Sequence, residues 1–188
     1  DKDFAPEQLD AALHDSLKRL QTDYIDLYQL HWPERPMNMF GSLGFSNQEI
    51  ANDTEERMFK TLQDLDGMIA AGKIRHWGLS NESAWGTMKF IQMAEKHGFA
   101  RPVSVQNPYN LLNRSYEVGL SEVSLREKCG LLAYSPLARG TLTGKYLNGQ
   151  MPEGSSRSID SRGSRYDNVQ GEAATQAYYA LAQAQGMD

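Results

Sequence analysis

The stretch YIDLYQLHW, residues 24–32, is rich in strand-forming side chains and ends in a polar residue, His31. Prolines follow it directly, and proline cannot donate a hydrogen bond to a strand ladder. Upstream, leucines recur at helical spacing after a proline that fits the first turn of a helix. The sequence therefore predicts a helix over residues 6–20 and then a strand over residues 24–30.

The same alternation continues toward the C-terminus. Further helices are predicted near residues 55–71, 83–97, 116–127 and 172–185, and further strands near residues 74–79, 103–106 and 131–134. Ser83 is expected to cap the helix over residues 83–97 and Gly98 to end it, and Gly130 is expected to end the helix over residues 116–127. In the helix predicted near residues 55–71, Phe59, Leu62, Asp66 and Ile69 fall on about one face. Strict alternation favours parallel strands with crossover helices, an α/β fold. A (β/α)8 barrel needs eight strands, so the four counted here predict roughly the middle half of one.

Polar side chains stand where each predicted strand ends. The four ends are His31, Ser80-Asn81, Gln106-Asn107 and Tyr134-Ser135. Each has an ordinary explanation when taken alone: a packed histidine, a helix-entry turn, a pre-proline turn and a core tyrosine. Because the carboxyl ends of barrel strands converge on one face, their recurrence at the same step favours a functional site there.

Composition limits the classes of protein that fit. The chain has 188 residues, of which 40% are apolar and 23% charged, with a formal net charge of −5. This balance is typical of a soluble globular protein and gives no general attraction to nucleic acid or to anionic membrane. No apolar run approaches the roughly 20 residues of a membrane helix, and the N-terminus does not resemble a signal peptide. The single cysteine, Cys129, excludes an intrachain disulfide framework and favours a cytoplasmic location.

Other familiar chemistries lack their sequence patterns. Closely spaced cysteines or histidines for a metal are missing, as is the glycine pattern of a Rossmann dinucleotide site. Neither a P-loop nor a nucleophile elbow is found. The expected ligand is therefore a small molecule, with neither nucleic acid nor membrane as a partner, and a homo-oligomer is left open.

A resemblance joins the polar strand ends into one pattern. The matching strings are LKRL at 17–20, DYIDLYQLHW at 23–32, GKIR at 72–75, GLSN at 78–81, VQNPYN at 105–110, YSPLARG at 134–140 and TGKY at 143–146. In this order they resemble the aldo-keto reductases, especially the bacterial Tas-type reductases and the potassium-channel β-subunits. The resemblance implies a (β/α)8 barrel that reduces aldehydes and ketones with NADPH.

The resemblance also implies which catalytic residue the chain carries. The family uses a tyrosine, a lysine, an aspartate and a histidine, and His31 matches the histidine. The other three lie upstream in the family and would precede residue 1, while a final strand and the helix that grips the adenosine 2′-phosphate would follow residue 188. Residues 1–188 are thus expected to be one partial barrel domain that is inactive by itself and either folds poorly or self-associates.

The cofactor residues implied by the resemblance fall into four groups. Ser80, Asn81 and Gln106 match residues that hold the nicotinamide carboxamide, because amides both donate and accept. Tyr134 matches the aromatic residue that stacks on the nicotinamide ring. The pyrophosphate loop is matched by Ser135, Leu137, Ala138, Gly140 and Lys145, where small residues let the backbone approach phosphate. Arg162 matches the loop that folds over the cofactor, with a solvated basic loop as the alternative.

Two features of the sequence each allow two interpretations. Met37, Met39 and Phe40 follow the histidine strand, where the family has a substrate-pocket element, although ordinary loop anchoring explains them equally well. Arg139 departs from the small or neutral residue that relatives often have, and it would either contact phosphate or point to solvent. The alternatives to a reductase are a non-catalytic regulatory subunit that binds NADPH and a relic that binds no ligand.

Overall fold

The computed structural model describes residues 4–37, 44–45, 54–160 and 163–187. The α-helices in this part of the chain are α1 (Pro6–Leu20), α2 (Thr54–Ala70), α3 (Ala84–His97), α4 (Leu120–Glu127), α5 (Ser156–Ile159) and α6 (Val169–Ala184). The strands are β1 (Ile25–Leu30), β2 (Ile74–Ser80), β3 (Ser104–Pro108) and β4 (Gly130–Tyr134). Short 3-10 segments cover Ser115–Val118, Ala138–Thr143 and Leu147–Gly149. Met39, Phe40 and Arg162 lie outside the described residues.

The strands form one sheet in the order β1-β2-β3-β4. β1 pairs with β2 in parallel, with Leu30 opposite Leu79. β2 pairs with β3 in parallel, with Ser80 opposite Gln106. The carboxyl ends of β1, β2 and β3 therefore reach the same edge of the sheet, which confirms the predicted parallel α/β alternation.

The chain divides into two compact units. The first comprises residues 1–107 and 119–132, and the second comprises residues 108–118 and 133–188. The first unit holds β1, β2 and most of β3 with helices α1 to α4. The second holds the irregular segment after β4, the short helix α5 and the long helix α6.

Trp77 occupies the centre of the first unit. It is 1% exposed, its ring meets Phe90 edge-on at 5.6 Å between centroids, and its Nε1 donates to the backbone oxygen of Ala100 at 2.9 Å. A buried tryptophan thus has both its apolar surface and its polar atom satisfied. The other side chains of this unit that are less than 2% exposed include Leu13, Leu62, Leu65, Ile74, Ile91 and Val105.

Of the four residues predicted to share a face of α2, only Leu62 is fully buried. The buried residues of α2 are Met58, Thr61, Leu62, Leu65 and Met68. Phe59 is only partly buried because its ring packs toward α3, 4.6 Å from the ring of His97 and 5.9 Å from that of Phe99.

The ends of α3 were predicted correctly, and those of the helix predicted over residues 116–127 were not. Ser83 caps α3 as expected, accepting a hydrogen bond from the Gly86 amide at 3.2 Å, and Gly98 ends that helix with φ +73°. The predicted helix over residues 116–127 is instead broken at Gly119, and α4 ends at left-handed Lys128 rather than at a glycine. A lysine in this conformation has no clear sequence signal, because glycine normally takes the position.

The described residues bear on three features: the single thiol, membrane-spanning helices and metal sites. Cys129 is a free and buried thiol, and burial raises its pKa to about 11. Of the helices within the described ranges, none combines the length and apolarity needed to cross a bilayer. Within the same ranges, no three histidine, cysteine or acidic side chains are grouped so as to hold a metal ion.

Gly78 lies where β3 approaches β2 closely. A Cβ at this position would be 2.5 Å from the Ser104 hydroxyl oxygen and 2.9 Å from the Ser104 backbone oxygen. Gly78→Ala is therefore expected to lower the free energy of unfolding by about 1–3 kcal/mol, because the backbone of β3 must shift. Urea titration of the full-length protein measures this change.

Gly67→Ala is the matched control for Gly78→Ala. Gly67 lies inside α2 with nothing within 4 Å of an added Cβ. Alanine is the better helix former, so this variant should gain about 0.5–1 kcal/mol. Equal urea midpoints for wild type and Gly78→Ala would contradict the close approach of the two strands.

Candidate functional site

His31 is placed by the end of β1. It follows Leu30 directly and is exposed, and its ring stacks on that of Trp32 with centroids 4.3 Å apart. Its backbone oxygen accepts a hydrogen bond from Asn81 Nδ2 at 2.9 Å. This hydrogen bond is made by the main chain of His31, so it does not engage the imidazole.

Ser80 and Asn81 are held at the end of β2 by one oxygen of the neighbouring strand. The backbone oxygen of Gln106 accepts a hydrogen bond from the Ser80 hydroxyl at 3.2 Å and one from the backbone amide of Asn81 at 2.8 Å. Ser80 is only 3% exposed, and Asn81 adopts a left-handed conformation with φ +56°. Asparagine tolerates this conformation better than most residues, which explains its place at the turn.

The structure thus brings together four of the predicted site residues, all in the first unit. They are His31, Ser80, Asn81 and Gln106. Asn81 contacts the histidine stretch on one side and β3 on the other. The side chain of Gln106 is partly buried at the same level of the sheet, opposite Ser80. Hydroxyl, carboxamide and imidazole groups therefore share the carboxyl edge of β1, β2 and β3.

Sequence reasoning missed two charged residues beside this cluster. Glu82 follows Asn81 directly, and both of its carboxylate oxygens accept from the guanidinium of Arg35, at 2.9 and 2.5 Å. The side chains of Glu82 and Arg35 are only 1% and 9% exposed. The two residues are 47 positions apart, and each looks in isolation like an ordinary surface charge.

Tyr134, the last residue of β4, belongs to the second unit. Burial raises the pKa of its phenol above the ordinary value, and the nearby Arg165 guanidinium offsets part of the rise. The backbone oxygen of Tyr134 accepts from the Tyr109 amide at 3.4 Å. The ring is partly buried, which is compatible both with packing and with an aromatic platform for a ligand.

The segment after Tyr134 has an unusual backbone. Ser135, Ala138 and Arg139 have φ of +51°, +50° and +55°, and Gly140 follows at +90°. A left-handed conformation costs an ordinary L-residue about 1–2 kcal/mol. The segment is therefore bent by its surroundings and not by local preference.

This segment also contains the predicted lysine. Lys145 is exposed, and its Cε would lie 2.8 Å from a Cβ added to Gly140. Its Nζ lies 5.2 Å from the ring centre of Tyr146. Leu137 is 55% exposed, whereas Ala138 is fully buried. Lys145 therefore lies over the glycine at which the predicted pyrophosphate loop turns.

Arg139 has protein partners within the second unit. Its guanidinium donates to Asp160 at 3.1 Å, to the backbone oxygen of Gly163 at 3.2 Å and to the Ser156 hydroxyl at 3.3 Å. It therefore ties the start of this segment to the residues around α5. Sequence reasoning left only phosphate or solvent as its neighbours, because the left-handed backbone that aims it was not foreseen.

Comparison with known proteins identifies the family. The sequence profile described as the Aldo/keto reductase family matches residues 1–188, and the chain belongs to that family. Protein tas of Escherichia coli strain K12 is 51% identical over 194 residues, covering 100% of this chain and 56% of that protein. An aldo-keto reductase of Babesia bovis is 44% identical over 185 residues, covering 91% of this chain and 64% of that protein.

A solved structure agrees with the fold. The glycerol dehydrogenase AKR11B4 from Gluconobacter oxydans matches with a TM-score of 0.68 at 28% identity, covering 100% of this chain and 50% of that chain. The chain thus spans about half the length of the proteins it matches. The predicted family and the predicted α/β fold, part of a (β/α)8 barrel, are confirmed.

Proposed function

We propose that the full-length protein reduces aldehydes or ketones to alcohols by hydride transfer, with NADPH as its cofactor. The observation that carries the proposal is the convergence of His31, Ser80, Asn81 and Gln106 at one edge of the sheet in a member of the aldo-keto reductase family. A cytoplasmic location and a single barrel domain that includes residues 1–188 are proposed with it. The free thiol of Cys129 fits a reducing compartment.

Ser80, Asn81 and Gln106 carry the hydrogen-bonding groups that a nicotinamide carboxamide needs. That group donates from its nitrogen and accepts at its oxygen, and side-chain amides and hydroxyls can do both. Ser80, Asn81 and Gln106 offer two amides and one hydroxyl at the ends of adjacent strands. The Ser80 hydroxyl and the Asn81 backbone amide both bond to the Gln106 backbone oxygen, so these residues would be held in place before the cofactor binds.

His31 would act on the carbonyl of the substrate. A bound nicotinamide would supply the hydride, and the carbonyl oxygen would gain negative charge during the transfer. The exposed imidazole of His31 would donate a hydrogen bond to that oxygen and hold it in place. The family's tyrosine is the expected proton donor for the product, and the resemblance matches it to none of residues 1–188.

Residues of the second unit are proposed for the rest of the cofactor. Tyr134 would stack on the nicotinamide ring. The residues proposed to line the pyrophosphate are Ser135, Leu137, Ala138, Gly140 and Lys145. Lysine supplies positive charge for phosphate, and a tightly turned backbone lets amide groups approach it. Arg162 is proposed for the loop that covers the cofactor.

The direct test is turnover by the full-length protein. Purified protein is mixed with NADPH and a panel of aliphatic and aromatic aldehydes and ketones, and both NADPH loss and alcohol formation are followed. Equal amounts of each are expected. Cofactor binding without alcohol formation would favour a regulatory subunit instead, and failure to bind NADPH would overturn the proposal.

Removing the Asn81 side chain should weaken cofactor binding. Asn81→Gly keeps the left-handed backbone accessible but deletes the amide, so the Kd for NADPH should rise about tenfold, the equivalent of one or two lost hydrogen bonds. Fluorescence titration measures the Kd. Gln21→Gly is the matched control, since Gln21 is an exposed left-handed residue at the end of α1. A rise of the same size in both variants would contradict the role of Asn81.

A further inference from the structure

Arg35 and Glu82 form a buried, two-point ion pair beside the site. Arg35 lies in the irregular stretch after β1, four residues past His31, and Glu82 lies one residue past Asn81. Both carboxylate oxygens are engaged, and neither side chain is more than 9% exposed. Burying two charges is costly in energy, so such a pair is better explained by the geometry that it fixes than by stability.

Groups of the turn before α3, of α3 itself and of β3 pack closely around the Arg35–Glu82 pair. The Glu82 carboxylate also accepts from the Ser83 amide at 2.6 Å, and the ring of Trp85 lies 4.9 Å from the Arg35 guanidinium carbon. A Cβ added to Gly86 would overlap the Glu82 carboxylate and lie 2.5 Å from the Arg35 guanidinium. Asn107 Nδ2 donates to the Glu82 backbone oxygen at 3.0 Å. The carboxylate is thus fixed from α3 and its backbone from β3.

The two sides of the site differ in how they are anchored. Ser80 and Asn81 bond to the β3 backbone, and these bonds do not involve Arg35. Residues 31–37 have no regular secondary structure. The contacts that tie them to the fold include the Asn81 bond to His31, the two-point pair of Arg35 with Glu82 and a longer contact of 3.6 Å between Glu34 and Arg57. Arg35 also donates to the Ser83 hydroxyl at 3.1 Å.

We propose that Arg35 and Glu82 are positioning residues that hold the His31 stretch in register with Asn81. The inference deepens the proposed reductase function and rests on it. Because the Asn81 backbone and the Ser80 hydroxyl are anchored on the Gln106 backbone oxygen, loss of the pair should displace His31 more than it displaces these two residues. The expected signature is therefore a fall in kcat with little change in cofactor affinity.

The test uses matched variants of the full-length protein. Arg35→Met removes one charge and keeps an apolar stem, Arg35→Lys keeps the charge but not the two-point geometry, and Arg35→Met/Glu82→Gln removes both charges. Arg126→Met, which breaks an exposed pair with Glu122 on α4, is the control. For each variant we would measure kcat, the Kd for NADPH, the melting temperature and, without cofactor, the NMR signal of the His31 ring, assigned from its loss in His31→Gln.

The expected results separate positioning from folding. Arg35→Met should lower kcat about 10- to 100-fold, because small misplacements of a reacting group are costly, and should shift the His31 signal. Arg35→Lys should fall between wild type and Arg35→Met. The double variant should melt at a higher temperature than Arg35→Met, since no buried carboxylate is left unpaired, yet keep the low kcat. The control should change none of the readouts.

The outcomes against the inference are equally distinct. If Arg35→Met fails to fold, the kcat and the His31 NMR signal of the double variant and of Arg35→Lys still test the inference. A kcat within about twofold of wild type in the double variant, with an unshifted His31 signal, would overturn the inference. Wild-type protein that binds NADPH but reduces no carbonyl would instead remove the proposed function, and the NMR signal of His31 would then test the positioning alone.

Discussion

Trp77→Ala is expected to lower the free energy of unfolding by about 3–5 kcal/mol, the range for deleting a fully buried large aromatic side chain. The ring of Trp77 is 1% exposed on β2 and packs on Phe90 of α3, so its removal leaves a cavity between the sheet and that helix. The Ala100 backbone oxygen would also lose the indole donor that it now has at 2.9 Å. Urea titration of the full-length protein gives the difference.

Trp85→Ala is the control for this loss. Trp85 is 50% exposed, and its ring lies against two cationic side chains and not in the core. Its removal should cost about 1 kcal/mol, the scale of an exposed cation–π contact. Equal losses for the two tryptophan variants would mean that Trp77 is not the central packing residue that its burial indicates.

His31→Ala is expected to lower kcat about 100- to 1,000-fold, the scale of removing one hydrogen-bond donor from a developing oxyanion. The NADPH Kd should stay near the wild-type value, because the group of His31 that binds Asn81 is its backbone oxygen, which alanine retains. Steady-state kinetics with the best carbonyl of the panel measures kcat, and fluorescence titration measures the Kd.

A second exposed histidine shows whether the effect is specific. His14 lies on α1 with its imidazole 3.3 Å from Asp10, and His14→Ala should leave kcat and the Kd unchanged. If His31→Ala keeps the wild-type kcat, His31 takes no part in the reaction. If its Kd rises as much as in Asn81→Gly, the side chain of His31 belongs to the cofactor site instead.

Much of the fold could be predicted because its signals are local. Leucine spacing predicted α1 with both ends correct, and Ser83 and Gly98 marked the ends of α3. Short apolar runs between helices predicted the strands to within about one or two residues. The polar ends of the first three strands meet in the first unit because parallel pairing sets Ser80 against Gln106, a consequence of topology that alternation already implies.

The rest depends on contacts that no local pattern encodes. Arg35 and Glu82 are distant in sequence, and only the folded sheet makes them neighbours. Ser135 and Ala138 adopt conformations that their own side chains disfavour, so no residue preference could have predicted that turn. Helical spacing could not show that Phe59 packs toward His97 and Phe99, because an apolar residue on a helix can pack on a neighbouring helix as well as on the sheet.

The backbone oxygen of Gln106, which receives both Ser80 and Asn81, has a consequence for how such a site can change over generations. Every amino acid carries that oxygen, so a mutation at position 106 alters the side chain while the attachment of its two neighbours persists. A randomised library at position 106 would therefore vary the proposed nicotinamide contact of that side chain while Ser80 and Asn81 keep their attachment to β3.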